Sequence, residues 1–492
     1  MLRPFDRTRK PPSSRSTSTN TIPSSAHNNV SANVEKGNPN AEAPAPVGFW
    51  HPSLARVRFC AMKKWAIVTL ILMMFILGVL SLYWAVLFHV PQNLHALKVY
   101  VVDFDAPGNG ERAIVGPGVV EVVMRQLERP SHLGFEMRDP AEFRYDILRV
   151  REAVYEWDAW AAIVVNPNAT EALYNAVRSG DSTYDPMGVA QIVYQSARDQ
   201  SVWQSYISPV IDKVVSEATS AVGMGWAGIV LGNASLMDNA ASVPQALSPA
   251  IGFSRFDLRP FTPEVAIPAV SIGLIYLIIL SFFSFPFYMP IHMQYLNPQG
   301  HPPLKVHQLI IWRWCATVLA YLFLSLAYSL VSMAFQINFY ESPSTPFNPL
   351  DIPGIEMGNA ASYDRGTFLV YWMLNFIGMI ALGLACENVA MMIGQPWTGL
   401  WLIFWVITNV CTSFYDLSLA PRFFHWGYAW PLHNIVEGSR QILFDLHSRL
   451  GLNFGVLIAW GAINTALFPF CCWFQGWKTR RGVHEYFPLH GN

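Results

Sequence analysis

The chain has 492 residues, of which 52% are hydrophobic, 14% aromatic and only 13% charged. Soluble domains carry about 25% charged residues, so this composition excludes an ordinary soluble protein and indicates alternating membrane and aqueous segments. The net charge of −1 gives no basic field, and nothing in the sequence favours binding to nucleic acid.

The first 50 residues form a polar segment rich in Ser, Pro, Asn and Thr. Such a segment has too few large apolar side chains to offset the entropy of ordering its backbone. It also lacks the early apolar core that a signal peptide needs. We therefore predict that residues 1–50 are a disordered cytosolic tail.

Six long apolar runs follow and indicate membrane-spanning helices, because roughly 20 mostly apolar residues are needed to cross a bilayer. Aromatic residues near their ends, such as Trp65 and Trp473, are typical of the membrane interface. Helix 1 is predicted at 65–88, and the other five form a membrane domain at 264–475. The runs are Trp65–Phe88, Val265–Met289, Leu309–Phe335, Phe368–Ile393, Trp397–Phe414 (the shortest) and Leu452–Phe474.

Basic residues flank the first and last runs, as is typical of cytosolic segments. They are Arg56, Arg58, Lys63, Lys64, Lys478, Arg480 and Arg481. Both termini are therefore predicted in the cytosol, including the C-terminal tail at 476–492, as six crossings require. The loop at 341–365 then lies outside and is acidic, in agreement with this orientation.

Residues 90–263 form a large polar region between the first two runs and contain no cysteine. Strand-like runs at 98–105, 160–166 and 190–196 alternate with helix-like runs, which predicts a compact α/β domain that folds without disulfides. The helix-like runs are 117–128, 145–157, 168–178 and 201–221.

The predicted fold class is therefore an α-helical integral membrane protein with six transmembrane helices, one plus five. An α/β extracytoplasmic domain is inserted between helices 1 and 2. N-glycosylation sequons at Asn168 and Asn233 lie in this domain and are accessible only if it is luminal or external. A third sequon, at Asn29, lies in the cytosolic tail and is expected to stay unmodified.

Local motifs in the polar region carry a family resemblance. The segment WAAIVVNPNATEALYNAVRSG, followed by AQIVYQSARDQ, is similar to the external domain of type-two ABC exporter membrane subunits and of the bacterial phage-infection-protein family. The opening strand VVDFD also resembles theirs. The order of segments over about 60–480 resembles the fungal nitrosoguanidine-resistance protein family.

The resemblance implies a non-enzymatic permease that acts in efflux of, or resistance to, a toxic small molecule. Five helices would form the pathway or half of it, and a homodimer would complete it. The sequence contains neither GxxxxGK[ST] nor any Gly-Lys pair, so energy would come from a separate ATPase or an ion gradient. The alternative is a non-transporting scaffold that regulates other transporters or lipid distribution.

Pro431, Asn434, Glu437 and Arg440 recur at intervals of three between the last two runs, and the last three lie close to one helix face. Similar segments in type-two exporter subunits partly re-enter the membrane, and such a segment could line a substrate path. The alternative is an amphipathic helix at the membrane surface, with Trp426 and Trp430 at the headgroups.

Glu387 and Asn388 lie within the fourth apolar run, near its predicted cytosolic end. A carboxylate inside a membrane helix costs about 3 kcal/mol on insertion scales, so it usually faces a partner or a cavity. Arg313 is a candidate counter-charge on the same side. Asn375 and Asn464 are interpreted as hydrogen-bonding groups between helices.

Asp103 and Asp105 raise the alternative of a tethered enzyme with a DxD metal site. The continuation APGNGER fits neither a phosphatase nor a sugar-nucleotide site, so strand-end architecture is the favoured interpretation. His292, His301 and His307 in a Pro-rich loop are interpreted as solvated rather than zinc-binding. We expect no catalytic, cofactor or metal site. The plasma membrane is the expected location, and the endoplasmic reticulum or another secretory membrane is the alternative.

Overall fold

The computed structural model describes residues 46–106, 113–295, 300, 302–337, 339, 363, 366–394 and 396–481. The chain divides into two compact units, residues 1–69 and 70–492. Helix α1 (Ala55–Phe75) starts after a Pro-initiated turn and continues through a π-helical turn, Ile76–Leu80, into a short helix, Ser81–Ala85. Its apolar sequence is uninterrupted by proline, which allows one long helix here.

Five strands form one sheet in the order β2-β1-β3-β4-β5. The strand β4 runs antiparallel to β3, and the other neighbours are parallel. All five residues of β3 are buried, as expected for a strand with both faces covered by helices. The strands are β1 (Lys98–Asp103), β2 (Gly134–Arg138), β3 (Ala161–Val165), β4 (Ala190–Tyr194) and β5 (Phe253–Asp257).

Three of these strands, β1, β3 and β4, correspond to the strand-like runs in the sequence. The other two, β2 and β5, were not predicted, and they are the two edges of the sheet. Edge strands commonly carry charged residues, and GFEMR and FSRFD do so. Their polar side chains removed the apolar signal from which strands were predicted.

Five helices accompany the sheet: α2 (Val115–Leu127), α3 (Ile147–Tyr155), α4 (Ala169–Ser179), α5 (Ser208–Leu231) and α6 (Ala234–Ala240). Helix α5 packs its apolar face, including Ile211, Val214 and Trp226, into the same core as the strand residues Val99 and Ile163. The segment 200–231 satisfies the length and hydropathy of a membrane span. Its packing against α2 and α6, in a core shared with the sheet, explains why a helix this apolar belongs to the α/β region.

Six longer helices lie in the described residues of the second half of the chain: α7 (Ile275–Met293), α8 (Val306–Ala334), α9 (Thr367–Ile393), α10 (Trp397–Cys411), α11 (Pro431–Phe444) and α12 (Leu450–Arg480). Helix α9 is central and contacts the other five. Its small residues permit this close packing. A Cβ atom at Gly378 would lie 2.6 Å from Ile435 Cδ1, and one at Gly383 would lie 2.4 Å from Tyr321 Oη.

By length and composition, six helices in the described residues are candidates to span a membrane. Five of them, at Pro52–Ala96, Glu264–Met293, Val306–Ala334, Thr367–Ile393 and Leu450–Lys478, coincide with predicted spans. The remaining predicted span, Trp397–Phe414, corresponds to α10, which has 15 residues and is about 22 Å long. The sixth candidate in the structure is instead the α5 segment, Gln200–Leu231.

Candidate functional site

Glu387 on α9 and Arg313 on α8 form a buried ion pair. Arg313 Nη2 lies 2.8 Å from Glu387 Oε1, and the side chains of Arg313 and Glu387 are 6% and 3% exposed. The hydroxyl of Thr317 also donates to Glu387 Oε2 at 3.3 Å. The structure therefore brings together the two residues that the sequence offered as a carboxylate and its counter-charge.

The same arginine reaches the last helix, because Arg313 Nη1 donates to Gln475 Oε1 on α12 at 3.4 Å. Two asparagines add a second connection: Asn388 Nδ2 on α9 donates to the backbone oxygen of Asn464 at 2.9 Å. Polar contacts of this kind hold membrane helices together. The cluster at Glu387 therefore fastens α8, α9 and α12 to one another.

The segment between α10 and α12 is irregular and then helical. It forms a 3-10 helix at Arg422–Ala429, followed by α11, which starts with Pro431 at its first position. Asn434 Nδ2 donates to the backbone oxygens of Tyr428 and Trp430 at 3.0 and 2.9 Å, which closes the turn between the two helices. Twelve residues of α11 are buried, and the other two are His433 and Glu437.

Arg440 on α11 points at the α/β region. Its Nη1 lies 3.0 Å from Asp199 Oδ2 and 3.5 Å from Glu437 Oε1. Asp199 in turn caps the helical turn after β4, since its Oδ1 accepts from the Val202 amide at 3.0 Å. No partner for Arg440 was predicted from the sequence. The only available signal for Asp199 was its position before a helix, where Asp is a common cap.

A cavity of about 630 Å³ opens between the α/β region and the helices, next to this pair. Four basic and four acidic side chains line it: Lys98, Arg198, Arg440, Arg449, Asp158, Asp199, Asp416 and Glu437. Asn434 and His433 also line it, so the cavity contains three of the four positions singled out on α11, Asn434, Glu437 and Arg440. Pro431 does not reach it.

Aromatic and cationic side chains stack along one wall of the cavity. The guanidinium carbon of Arg198 lies 3.8 Å from the ring centre of Trp160 and 4.8 Å from that of Trp157. Arg449 approaches the same Trp157 ring at 5.1 Å. Desolvation lowers the pKa of Arg198 to about 10, against the opposing effect of Asp416 and Glu437. The arginine is still charged at neutral pH.

Two buried amide atoms of asparagines that line the cavity lack hydrogen-bonding partners among the described residues. Asn434 Oδ1 and Asn453 Nδ2 make no hydrogen bond there, although these residues are 0% and 3% exposed. An unsatisfied buried polar group costs about 1–3 kcal/mol, so such groups usually have a role. Both atoms are also shielded from solvent, so neither is open to the cavity in this structure.

Asp103 and Asp105 hold helix ends in position. Thr170 donates its backbone N–H to Asp105 Oδ1 at 2.8 Å and its hydroxyl to Oδ2 at 2.5 Å, which anchors the start of α4. Asp103 Oδ1 accepts from the amides of Asp105 and Ala106 at 2.9 and 3.2 Å, and burial raises its pKa. The Pro-Gly-Asn-Gly continuation lies outside the described residues.

The remaining sequence candidates are dispersed. Asn168 and Asn233 are exposed at the N-terminal ends of α4 and α6, and Asn29 lies outside the described residues. His292 accepts from Trp312 Nε1 at 3.2 Å, His307 is exposed, and His301 is outside the described residues. Within the part of the chain that the structure describes, no group of three His, Cys, Asp or Glu residues could hold a metal ion.

Long apolar helices, several of them packed around α9, define a multi-pass membrane protein. Residues 68–466 match a family described as a protein of unknown function, DUF3533, and the chain belongs to this family. It is similar to an uncharacterized endoplasmic reticulum membrane protein of Saccharomyces cerevisiae, with 26% identity over 459 residues, 88% of this chain and 85% of the relative. No solved structure matches. The resemblance to ABC exporter subunits is not supported by these matches and stays a prediction.

Proposed function

We propose that this protein is a permease-type membrane protein that binds a small molecule in the cavity beside α11 and acts in its efflux or in resistance to it. The observation that carries the proposal is the cavity of about 630 Å³ at α11, which four basic and four acidic side chains line. This volume lies within the range of about 300–1,000 Å³ that is typical of small-molecule sites. The charges of both signs along its walls suit a polar or charged molecule.

In this proposal the α/β region lies on the luminal or external side and both termini lie in the cytosol. The excess of Lys and Arg around the first and last apolar runs supports this orientation. The cavity would then receive the molecule on the non-cytosolic side. Energy would come from a separate ATPase or an ion gradient, and a homodimer would complete the pathway. The proposal includes no covalent chemistry.

For the location, we favour the endoplasmic reticulum over the plasma membrane. The support is the similarity to the yeast protein, which is described as an endoplasmic reticulum membrane protein. Imaging of the tagged full-length chain against markers of both membranes tests this point. A signal confined to the cell periphery would return the assignment to the plasma membrane.

The test of the proposed function is the accumulation of a radiolabelled toxic alkylating compound in cells that lack or express the chain. Expression is expected to lower accumulation, and Arg440→Gln is expected to abolish that effect because Asp199 and Glu437 lose their cation. The matched control is Arg125→Gln, an exposed arginine of α2 far from the cavity in sequence. Equal accumulation in all strains would overturn the transport function.

A second function, a scaffold that regulates other transporters or lipid distribution, is favoured by the Glu387 cluster. The ion pair with Arg313 is engaged and almost completely buried, which suits a rigid helical bundle better than an open pathway. This function predicts unchanged accumulation together with altered resistance. It also predicts membrane proteins that co-purify with the full-length chain and are lost when the α/β region is altered.

A further inference from the structure

The cavity beside α11 contains charges of both signs that are not fully committed to each other. Arg440 is engaged with Asp199, and Lys98 forms an ion pair with Glu136 at 3.0 Å. Arg449, by contrast, forms no ion pair with any described residue and is exposed. Its guanidinium is therefore available as a cation at the cavity wall.

The carboxylates of Asp416 and Glu437, which also line the cavity, are only partly engaged by other groups. The hydrogen bonds of Asp416 with the amide and hydroxyl of Ser418 both reach its Oδ1. Glu437 touches Arg440 through Oε1 only, at 3.5 Å, and its side chain is 24% exposed. Each carboxylate therefore keeps an oxygen for a cationic group of a ligand.

These uncommitted charges form two sets, the guanidinium of Arg449 and the carboxylates of Asp416 and Glu437. A ligand with a single charge would satisfy one set of groups and face repulsion from the other. A dipolar ligand satisfies both, which is how a site selects by charge complementarity.

We propose that this cavity binds a zwitterionic group, with its cation at Asp416 and Glu437 and its anion at Arg449. The site lies at the start of α12, a candidate membrane span. The zwitterion can therefore come from a lipid headgroup or from a free solute. The claim that the zwitterion is the exported molecule rests on the proposed function. The claim that the cavity binds a zwitterion does not.

The experiment uses the full-length protein in an uncharged maltoside detergent and isothermal titration calorimetry. The probes are glycerophosphocholine, which carries both charges, and choline and glycerol 3-phosphate, which carry one each. Glycerophosphocholine is expected to bind at least about tenfold tighter than either single-charge probe, because each charge-assisted hydrogen bond is worth about a factor of ten or more. Equal affinity for all three probes would overturn the proposal.

Variants of partly exposed residues separate the two halves of the site without disturbing a core. Arg449→Gln and Glu437→Gln are each expected to weaken glycerophosphocholine binding about tenfold. Arg449→Gln should leave choline binding unchanged, and Glu437→Gln should leave glycerol 3-phosphate binding unchanged or stronger. Arg125→Gln and Glu121→Gln, exposed on α2, are the charge-matched controls. Parent-like binding by both cavity variants would contradict the proposal.

Nanodiscs distinguish the two sources of the zwitterion. If a lipid headgroup occupies the site, phosphatidylcholine nanodiscs will compete with added glycerophosphocholine and phosphatidylglycerol nanodiscs will not. If a free solute is the ligand, its affinity will be the same in both. Zwitterion binding without any effect of the chain on cellular accumulation would retain this site and reject the transport function. Efflux without zwitterion binding would retain the transport function and reject this site.

Discussion

Arg259 and Asp445 form an ion pair that is almost completely buried, with Nη2 2.8 Å from Oδ2 and side chains that are 2% and 3% exposed. Arg259 Nε also donates to the backbone oxygen of Asp445 at 2.9 Å. Arg259 follows β5, and Asp445 follows α11 in a left-handed conformation with φ 53°. The pair therefore connects the α/β region to the turn before α12.

Removing one member of this pair leaves the other charge in a site with little water. We expect Arg259→Ala to lower the free energy of unfolding by about 3–5 kcal/mol. The control is Arg255→Ala, which breaks an exposed ion pair with Asp212 and is expected to cost less than about 1 kcal/mol. Thermal unfolding of the full-length protein in detergent measures both, and similar midpoints would contradict the role of the buried pair.

The pair between Arg313 and Glu387 makes a second prediction. Arg313→Leu alone leaves the buried carboxylate without this cation and is expected to cost about 3–5 kcal/mol. The double variant Arg313→Leu, Glu387→Leu is expected to be closer to the parent, because apolar replacement of a whole buried pair is often neutral. A double-mutant cycle on unfolding midpoints checks this, and strictly additive costs would show that the two side chains do not depend on each other.

A third prediction concerns the close packing of helices around Gly383, at the centre of the helical bundle. A Cβ there would lie 2.4 Å from Tyr321 Oη and 2.7 Å from Ser281 Cβ, so Gly383→Ala forces α7, α8 and α9 apart. We expect a loss of about 1–3 kcal/mol, measured by thermal unfolding. Gly399→Ala on α10, where a Cβ meets nothing within 4 Å, is the matched control. It should unfold at the parent temperature or above, since Ala favours helix.

The orientation of the α/β region predicts N-linked glycans at Asn168 and Asn233. Both side chains are exposed at helix starts, so neither sequon needs to be unfolded for a glycan to be accommodated. Treatment with an endoglycosidase is expected to raise the electrophoretic mobility, and Asn168→Gln and Asn233→Gln should each remove one step of it. Digestion of this region by protease added to the cytosolic face of intact microsomes would contradict the orientation.

Much of the fold was predictable because its signals are local. An apolar run of sufficient length indicates a membrane helix whatever surrounds it, and five such runs coincide with candidate spans in the structure. The buried strands β1 and β3 were predictable for the same reason, because their runs of Val and Ile are a local signal. The strands β2 and β5 were not predicted, because charged residues at the edges of the sheet interrupt that apolar pattern. The helix α10 is shorter than the apolar run from which it was predicted.

The candidate site was predictable only in fragments. The spacing of three residues between Glu437 and Arg440 indicates a shared helix face. The pairing of Glu387 with Arg313 follows from the cost of an isolated charge in a membrane helix. Nothing in the sequence indicated that Arg440 meets Asp199, 241 positions away. Nothing indicated that Arg198 stacks between Trp157 and Trp160 or that Asn453 lines the same cavity.

The sequence alone determined the class of protein, since membrane insertion depends on the hydropathy of contiguous segments and on the charges at their ends. Tertiary structure decided how the α/β region is fastened to the helices, through pairs such as Arg259 with Asp445, 186 positions apart. It also decided which polar groups face one cavity. Such contacts depend on the packing of distant elements, and that information is not contained in any local pattern of residues.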